Sequence, residues 1–204
     1  MINGNYNGKF TSKDKLDTKI SEYNYINGKL HNNYKYYGPY GTLMFERNYY
    51  CGLINGTDVQ YDLVGNLRIT SEYTFGNDNG KTIRYYHNKS KMFEYNELDG
   101  LTDGEYIYYN QKGEPILKVD YESNAVVSYS TLNKTGGFSE KIKTPTESAE
   151  ITSMYPNGKV AIKVNYVKGN IDGKLIINNI EGRVEYEANY KNGLFEGERT
   201  EYYS

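Results

Sequence analysis

The sequence predicts an all-β protein: an elongated open antiparallel sheet of about eight consecutive β-hairpin repeats of about 24 residues. Three observations support this prediction, namely a recurring glycine frame, tyrosines at fixed offsets from it, and segments in which apolar and polar residues alternate. Taking Gly113 as the marker of one repeat, successive markers are separated by 24, 24, 24, 23, 22 and 24 residues. The markers are Gly41, Gly65, Lys89, Gly113, Gly136, Gly158 and Gly182.

The segment after each marker has the period of a strand. In the repeat of Gly113, Leu117, Val119 and Tyr121 alternate with Lys118 and Asp120. Side chains alternate between the two faces of a strand, so this pattern predicts one apolar face and one face in water.

The segment before each marker predicts the partner strand. It ends four residues before the marker, usually at a tyrosine: Tyr37, Tyr61, Tyr85, Tyr109 and Tyr202. Glycine accepts a positive φ at no steric cost, which suits the turns within and between hairpins. The glycines interpreted as structural are Gly28, Gly41, Gly52, Gly56, Gly65, Gly76, Gly80, Gly100, Gly104, Gly113, Gly158, Gly169, Gly173, Gly182, Gly193 and Gly197.

The repeats predict one continuous array rather than separate domains. Residues 1–22 are interpreted as an irregular N-terminal segment or a degenerate first repeat, and residues 23–204 as the array. The spacing persists through residues 122–156 while the glycines and tyrosines are lost, so this part is interpreted as degenerate repeats. The polar run Ser139 to Glu150 resembles a linker, but the constant step argues against a domain boundary there.

Composition excludes several classes of function. With 24 basic and 26 acidic residues spread along the chain, no basic stripe is present to neutralise phosphates, so nucleic acid is not an expected partner. No apolar run approaches the roughly 18 residues needed to span a bilayer, and lipid contact is not supported. The first residues show no signal-peptide pattern, and the localisation stays open because a signal could have been removed earlier.

Motifs for catalysis or metal binding are not found. His31, His87 and Cys51 have no zinc-site spacing and are not expected to form a catalytic pair. The segments 77–80 and 99–104 contain oxygen-rich side chains, but the absence of a suitably spaced glutamate favours turns over calcium loops. We therefore expect a non-enzymatic protein with no metal and no cofactor.

The frame G-x-x-x-G-x-x-x-x-Y-x-x-x-G-x-L resembles the MORN repeat. Gly52, Gly56, Tyr61, Gly65 and Leu67 match it in one unit, and the likeness extends over about residues 23 to 204. It is closest to the divergent bacterial type, which often bears the label of an antitoxin component of toxin–antitoxin modules. The resemblance implies hairpins that stack into an open, twisted sheet and act as a scaffold for protein contacts.

The segment Gly104 to Gly113 is also similar to the aromatic repeats of choline- and glucan-binding cell-wall modules. The binding sites of those modules are lined by tryptophan, which this chain lacks, although tyrosine can also line such a site.

A sheet with one apolar, tyrosine-rich face must cover that face. We expect a scaffold that binds a protein or peptide there, with self-association through the sheet face or edge as a further possibility. The residues predicted to contact the partner, from the side taken as exposed, are Tyr34, Tyr36, Tyr106 and Tyr108. Carbohydrate or cell-envelope binding through the same tyrosines, and an antitoxin role, are the alternatives.

Overall fold

The structure is a computed structural model that describes residues 5–144 and 146–202. Residues 1–4, Pro145 and residues 203 and 204 lie outside the described part, together with the portions of the predicted array that fall on them. The predicted fold class is confirmed. Strands hold 65% of the residues and helix 2%, the strands pair antiparallel as consecutive hairpins, and the sheets are open.

Each hairpin turns at the marker because the backbone there has a positive φ. The angle is +79° at Gly113, +70° at Lys89 and +66° at Asp17. All sixteen glycines interpreted as structural also have a positive φ. The strand before the marker contains a register shift, as between Tyr108 and Tyr109. The extra residue lies on the partner strand, where Ile116 is left unpaired between Pro115 and Leu117.

The chain forms two compact units. The first contains the described residues up to Lys89 and residues 97–100. Its strands pair in the order β1-β2-β4-β5-β6-β7-β9, while the short β3 and β8 pair with β2 and β7. A single 3₁₀ turn, Pro39–Gly41, follows β4. The strands are β1 Gly8–Lys13, β2 Lys19–Ile26, β3 Lys29–Leu30, β4 Asn32–Tyr37, β5 Leu43–Tyr50, β6 Leu53–Tyr61, β7 Leu67–Thr74, β8 Asn77–Asp78 and β9 Gly80–Tyr85.

The second unit contains residues 90–96 and the described residues from Leu101 onward. It holds two sets of paired strands, β10-β12-β13-β14-β15 and β16-β17-β19-β20-β21, with β11 and β18 on β10 and β17. The last two residues of β10 belong to the first unit. The strands are β10 Lys91–Leu98, β11 Leu101–Thr102, β12 Gly104–Tyr109, β13 Pro115–Glu122, β14 Ala125–Thr131, β15 Ile142–Lys143, β16 Ala149–Met154, β17 Val160–Val167, β18 Asn170–Ile171, β19 Gly173–Asn178, β20 Val184–Lys191 and β21 Leu194–Glu201.

The N-terminal residues follow the same frame as the later repeats. Strands β1 and β2 form a hairpin around Asp17, in which Phe10 pairs with Tyr23. Asp17 lies 24 residues before Gly41 and, with its positive φ, takes the place of the marker glycine. Aspartate tolerates this conformation better than most residues, which explains how the frame continues without glycine.

The polar run Ser139 to Glu150 interrupts strand pairing within the second unit. Only Ile142–Lys143 pairs with β14, and pairing resumes at Ala149 in a different sheet. The run has lost the apolar alternation that would hold one face against a core. The two sheets of this unit then pack face to face, and their apolar residues form its core.

The turns between repeats are also joined to one another. In β6 and the turn that follows β7, the amide of Gly76 donates to the carbonyl of Ile54 at 2.8 Å, and the amide of Phe75 donates to Asn55 Oδ1 at 3.1 Å. The same hydrogen bond, from an amide to the carbonyl of the residue 22 positions earlier, recurs at Gly28, Gly52, Gly100, Asn124, Gly169 and Gly193. These bonds satisfy the polar groups of the turns and hold each repeat on the previous one.

Candidate binding face

One face of the sheets carries the side chains at fixed positions in the repeats that form full hairpins. These positions are seven and five residues before the marker, and four, six and eight after it. We call this face the inner face. In the second unit it includes Tyr106 and Tyr108, which pair with Val119 and Leu117. Residues directly opposite on neighbouring strands lie on the same face of a sheet, so these tyrosines share the face of the apolar residues.

The prediction that Tyr106 and Tyr108 lie on the exposed side is therefore wrong. Tyr108 has no solvent exposure, and its hydroxyl lies 2.7 Å from the hydroxyl of Tyr166 on the facing sheet. Tyr106 stacks on Tyr95 with ring centroids 4.9 Å apart. Burial raises the pKa of Tyr106 and of Tyr108 well above the usual value. Tyr108 belongs to the core of the second unit, and Tyr106 is half-buried on the same face.

The other two predicted contact residues, Tyr34 and Tyr36, occupy the same repeat positions in the first unit. There, Tyr36 is 37% exposed, whereas Tyr108 at the equivalent position is 0% exposed. Tyr34 is half-buried. Of the four predicted residues, Tyr108 is thus fully buried and Tyr106 half-buried within the second unit, whereas Tyr34 and Tyr36 lie on a surface that the first unit does not itself cover.

Around Tyr34 the first unit presents a row of stacked rings, which we call the aromatic row. Ring centroids are 5.8 Å apart between Phe10 and Tyr23, 5.8 Å between Tyr23 and Tyr34, and 5.7 Å between Tyr34 and Phe45. The interplanar angles are 9°, 19° and 11°, and Tyr36 stacks on Phe45 at 5.2 Å. The row crosses β1, β2, β4 and β5, so neighbouring strands hold each ring against the next.

The aromatic row ends at an ion pair. Arg47 Nε donates to Asp58 Oδ1 at 2.7 Å, and the guanidinium carbon lies 4.5 Å from the centroid of the Phe45 ring. The Asp58 side chain is only 1% exposed and also accepts from Gln60 Nε2 at 2.8 Å. Burial lowers the pKa of Arg47, but the hydrogen bond and charge of Asp58 raise it more, so the guanidinium keeps its charge.

The inner face becomes polar beyond the ion pair. The hydroxyl of Thr82 lies 3.0 Å from that of Ser71 and 3.1 Å from Glu97 Oε2. Burial, and then the nearby charge of Asp78, raise the pKa of Glu97. This polar part adjoins the aromatic row, so the face combines rings, one buried ion pair and hydroxyl groups.

The tyrosines four residues before the markers lie on the opposite face, because neighbouring residues of a strand alternate between faces. Tyr37 donates to Glu22 at 2.6 Å, and Tyr109 donates to Glu94 at 2.7 Å. Each glutamate belongs to the preceding repeat, so the hydroxyl links successive repeats. The bond from Tyr37, followed by that from Lys19, lowers the pKa of Glu22.

The histidines and the cysteine are not assembled into a reactive site. Cys51 is exposed at a turn, where its amide lies 3.5 Å from Nδ1 of His31, while His87 lies 3.7 Å from Asp62. The described residues contain no group of three or more His, Cys, Asp or Glu that could hold a metal ion. They also contain no helix that is long and apolar enough to cross a membrane.

Comparison with known proteins adds little to this geometry. No family model and no curated protein matches the chain. A solved structure of alternansucrase in complex with isomaltononaose is similar at 16% identity, over 89% of this chain and 16% of that one. Its TM-score is 0.16, so the similarity supports no conclusion about fold or function.

Sequence reasoning missed the residues that complete the uncovered face: Phe10, Tyr23, Phe45, Arg47 and Asp58. A signal for them was present, because strand pairing places position −7 opposite position +6 and position −5 opposite position +4. Applying that rule to each repeat would have assigned all of these side chains to the face of Tyr34 and Tyr36.

Proposed function

We propose that the protein is a non-enzymatic scaffold of MORN type that binds a protein partner on the inner face of its first unit. The observation that supports this is a difference between equivalent positions. In the second unit these positions are covered by the unit's own second sheet, whereas in the first unit Tyr34, Tyr36 and Phe45 lie on a face left uncovered within that unit.

The side chains on the inner face of the first unit differ from those on the covered sheets of the second unit, as expected if the first unit binds its partner reversibly. The covered sheets combine fully buried aliphatic residues, such as Leu117, Val164 and Ile177, with buried tyrosines such as Tyr108 and Tyr166. The first unit uses tyrosine, phenylalanine, serine and Arg47 at these positions. Tyrosine and arginine are enriched in the central residues of protein interfaces, and a tyrosine hydroxyl remains compatible with water when the partner leaves.

The stacking of the rings favours a protein over a glycan. Sugar rings bind aromatic side chains through the ring faces, but the faces of Tyr23, Tyr34 and Phe45 are turned toward one another at 5.7 to 5.8 Å. The aromatic row therefore offers mainly ring edges to a ligand, which suit apolar side chains. An antitoxin role is one form of this proposal, in which the bound protein is a toxin.

Affinity capture from native lysate tests the proposal, with the wild type compared with a Tyr34→Ala/Phe45→Ala variant. A matched control, Tyr40→Ala/Phe75→Ala, removes two rings that are 100% and 59% exposed and lie outside the inner face. We expect a protein that the wild type and the control retain and the face variant does not. Direct binding of that purified protein must show the same order. Equal retention by all three baits would contradict the proposal.

A further inference from the structure

We infer that the inner face of the first unit binds the same face of a second copy of this chain. The inference rests on the proposed function and names its partner. The second unit supplies the precedent, because there one set of repeats covers another through the same five positions, as in the contact between Tyr108 and Tyr166.

The charges on the face permit a second copy to approach. Its central ion pair, Arg47 with Asp58, is neutral as a unit, and the aromatic row beside it has no formal charge. Face-to-face packing therefore brings together two surfaces without an excess of one sign.

The face is large enough for a specific dimer. Seven strands about 4.8 Å apart, with about five residues each at about 3.4 Å, cover roughly 500 Å². Two such faces bury roughly 1,000 Å² in total, which is the lower bound for a specific interface and typical of reversible association. The ring edges add relief to the flat sheet, so the buried area exceeds this flat projection.

Symmetry fixes how the copies must be arranged. A closed homodimer has a two-fold axis, and the same surface of each copy contacts its counterpart. An axis running along the aromatic row, across the strands, places aromatic on aromatic and polar on polar. An axis parallel to the strands would instead place the rings of one copy on the buried ion pair and hydroxyls of the other. The first arrangement loses less hydrogen bonding, and it places Tyr34 next to its counterpart.

Sedimentation equilibrium of the full chain from 1 to 100 µM tests the inference. We expect a reversible dimer in the wild type and in Tyr40→Ala/Phe75→Ala, and a dissociation constant at least about tenfold higher in Tyr34→Ala/Phe45→Ala. A wild type that remains monomeric over this range overturns the inference, and so does a dimer that the face variant leaves unchanged.

Cysteine cross-linking provides a second measurement that does not depend on the stability of the double variant. In a Cys51→Asn background, Tyr34→Cys should form a covalent dimer rapidly under mild oxidation, whereas Tyr40→Cys at the exposed turn should not. Equal rates at the two positions contradict the proposed axis.

The outcomes separate this inference from the proposed function. If the wild type is monomeric but its inner face captures a different protein, the second-copy inference fails and the scaffold function stands. If the wild type is monomeric and the face variant changes no retained protein, both fail.

Discussion

The packing of the two sheets in the second unit can be tested by adding one methyl group at Gly169. This residue lies in the turn between β17 and β18, with φ +78°. A Cβ atom at this position would overlap the carbonyl oxygen of Asn124, which lies in the turn between β13 and β14, and would lie 3.2 Å from the carbonyl carbon. The neighbour is backbone, so it cannot move aside as a flexible side chain could.

Gly113 provides the matched control because it has almost the same φ, +79°, and a Cβ atom added there would have no neighbour within 4 Å. Alanine at either site pays the cost of a left-handed conformation, about 1–2 kcal/mol. Only Gly169→Ala must also separate the turn from Asn124, and overpacking of this kind costs typically about 1–3 kcal/mol more. The free energy of unfolding should therefore fall by about 2–5 kcal/mol for Gly169→Ala and by about 1–2 kcal/mol for Gly113→Ala.

Equilibrium urea unfolding, followed by far-ultraviolet circular dichroism, measures both values. The difference between the two variants isolates the contact with Asn124, since the backbone strain is common to both. A difference smaller than about 0.5 kcal/mol would refute the reasoning. It would mean that the turn of Gly169 does not approach Asn124 as the structure shows.

Four further predictions concern the turns and the buried groups. Lys168 and Asn192 both have φ +49° and both precede a glycine, a position that favours asparagine. In thermal unfolding, Lys168→Asn should therefore raise the free energy of unfolding by about 0.5–1 kcal/mol, and Asn192→Lys should lower it by a similar amount. Tyr108→Phe and Tyr166→Phe should each lower the free energy of unfolding by about 1 kcal/mol, and a double-mutant cycle should show that the two effects are coupled. Independent effects would contradict the 2.7 Å contact between the two hydroxyls. Burial raises the pKa of both tyrosines, so the unfolded chain releases these protons first, and stability should fall as the pH rises above about 10. The absorbance change at 295 nm that the wild type shows in excess of a Tyr108→Phe/Tyr166→Phe variant should appear only on unfolding. Burial also raises the pKa of Glu185. The protonated carboxyl therefore contributes fully to stability at a pH below the pKa that Glu185 has in the unfolded chain, and this contribution is lost as the pH rises through its pKa in the folded protein. Glu185→Gln should accordingly be more stable than the wild type at pH 7, by a margin that narrows toward pH 4, and a constant margin would count against this.

The sequence contained enough to predict the hairpins and their turns. A period of about 24 residues fixes the positions of the turn glycines, and alternation fixes which residues of β13 and β17 share a face. Both signals are local, because they depend on turn geometry and on the pleat of a single strand. The positive φ at Asp17 and Lys89 shows that the frame can continue where glycine is absent.

The face of the aromatic strands was harder to predict, because it depends on register between strands. Tyr106, Tyr108 and Tyr109 lie close together in β12, where Tyr106 and Tyr108 share one face and Tyr109 lies on the other. A one-residue shift in register exchanges the two faces of a whole strand, so small errors reverse the assignment of every side chain. The covering of Tyr108 depends on Tyr166, 58 residues away, which no local pattern specifies.

The same frame therefore carries two different surface chemistries, and under the proposed function the difference follows from what each face must do. A permanently covered face can use aliphatic side chains that have no hydroxyl group to satisfy, as Val119, Ile162 and Val164 do, and it can bury tyrosines whose hydroxyls pair, as those of Tyr108 and Tyr166 do. A face that spends part of its time in water gains from side chains that are stable in both conditions. Tyr34 and Tyr36 meet this requirement, because their rings bury apolar area in a complex and their hydroxyls bind water without it. Replacing them by leucine would improve a permanent core but would leave an apolar patch prone to aggregation on the free protein.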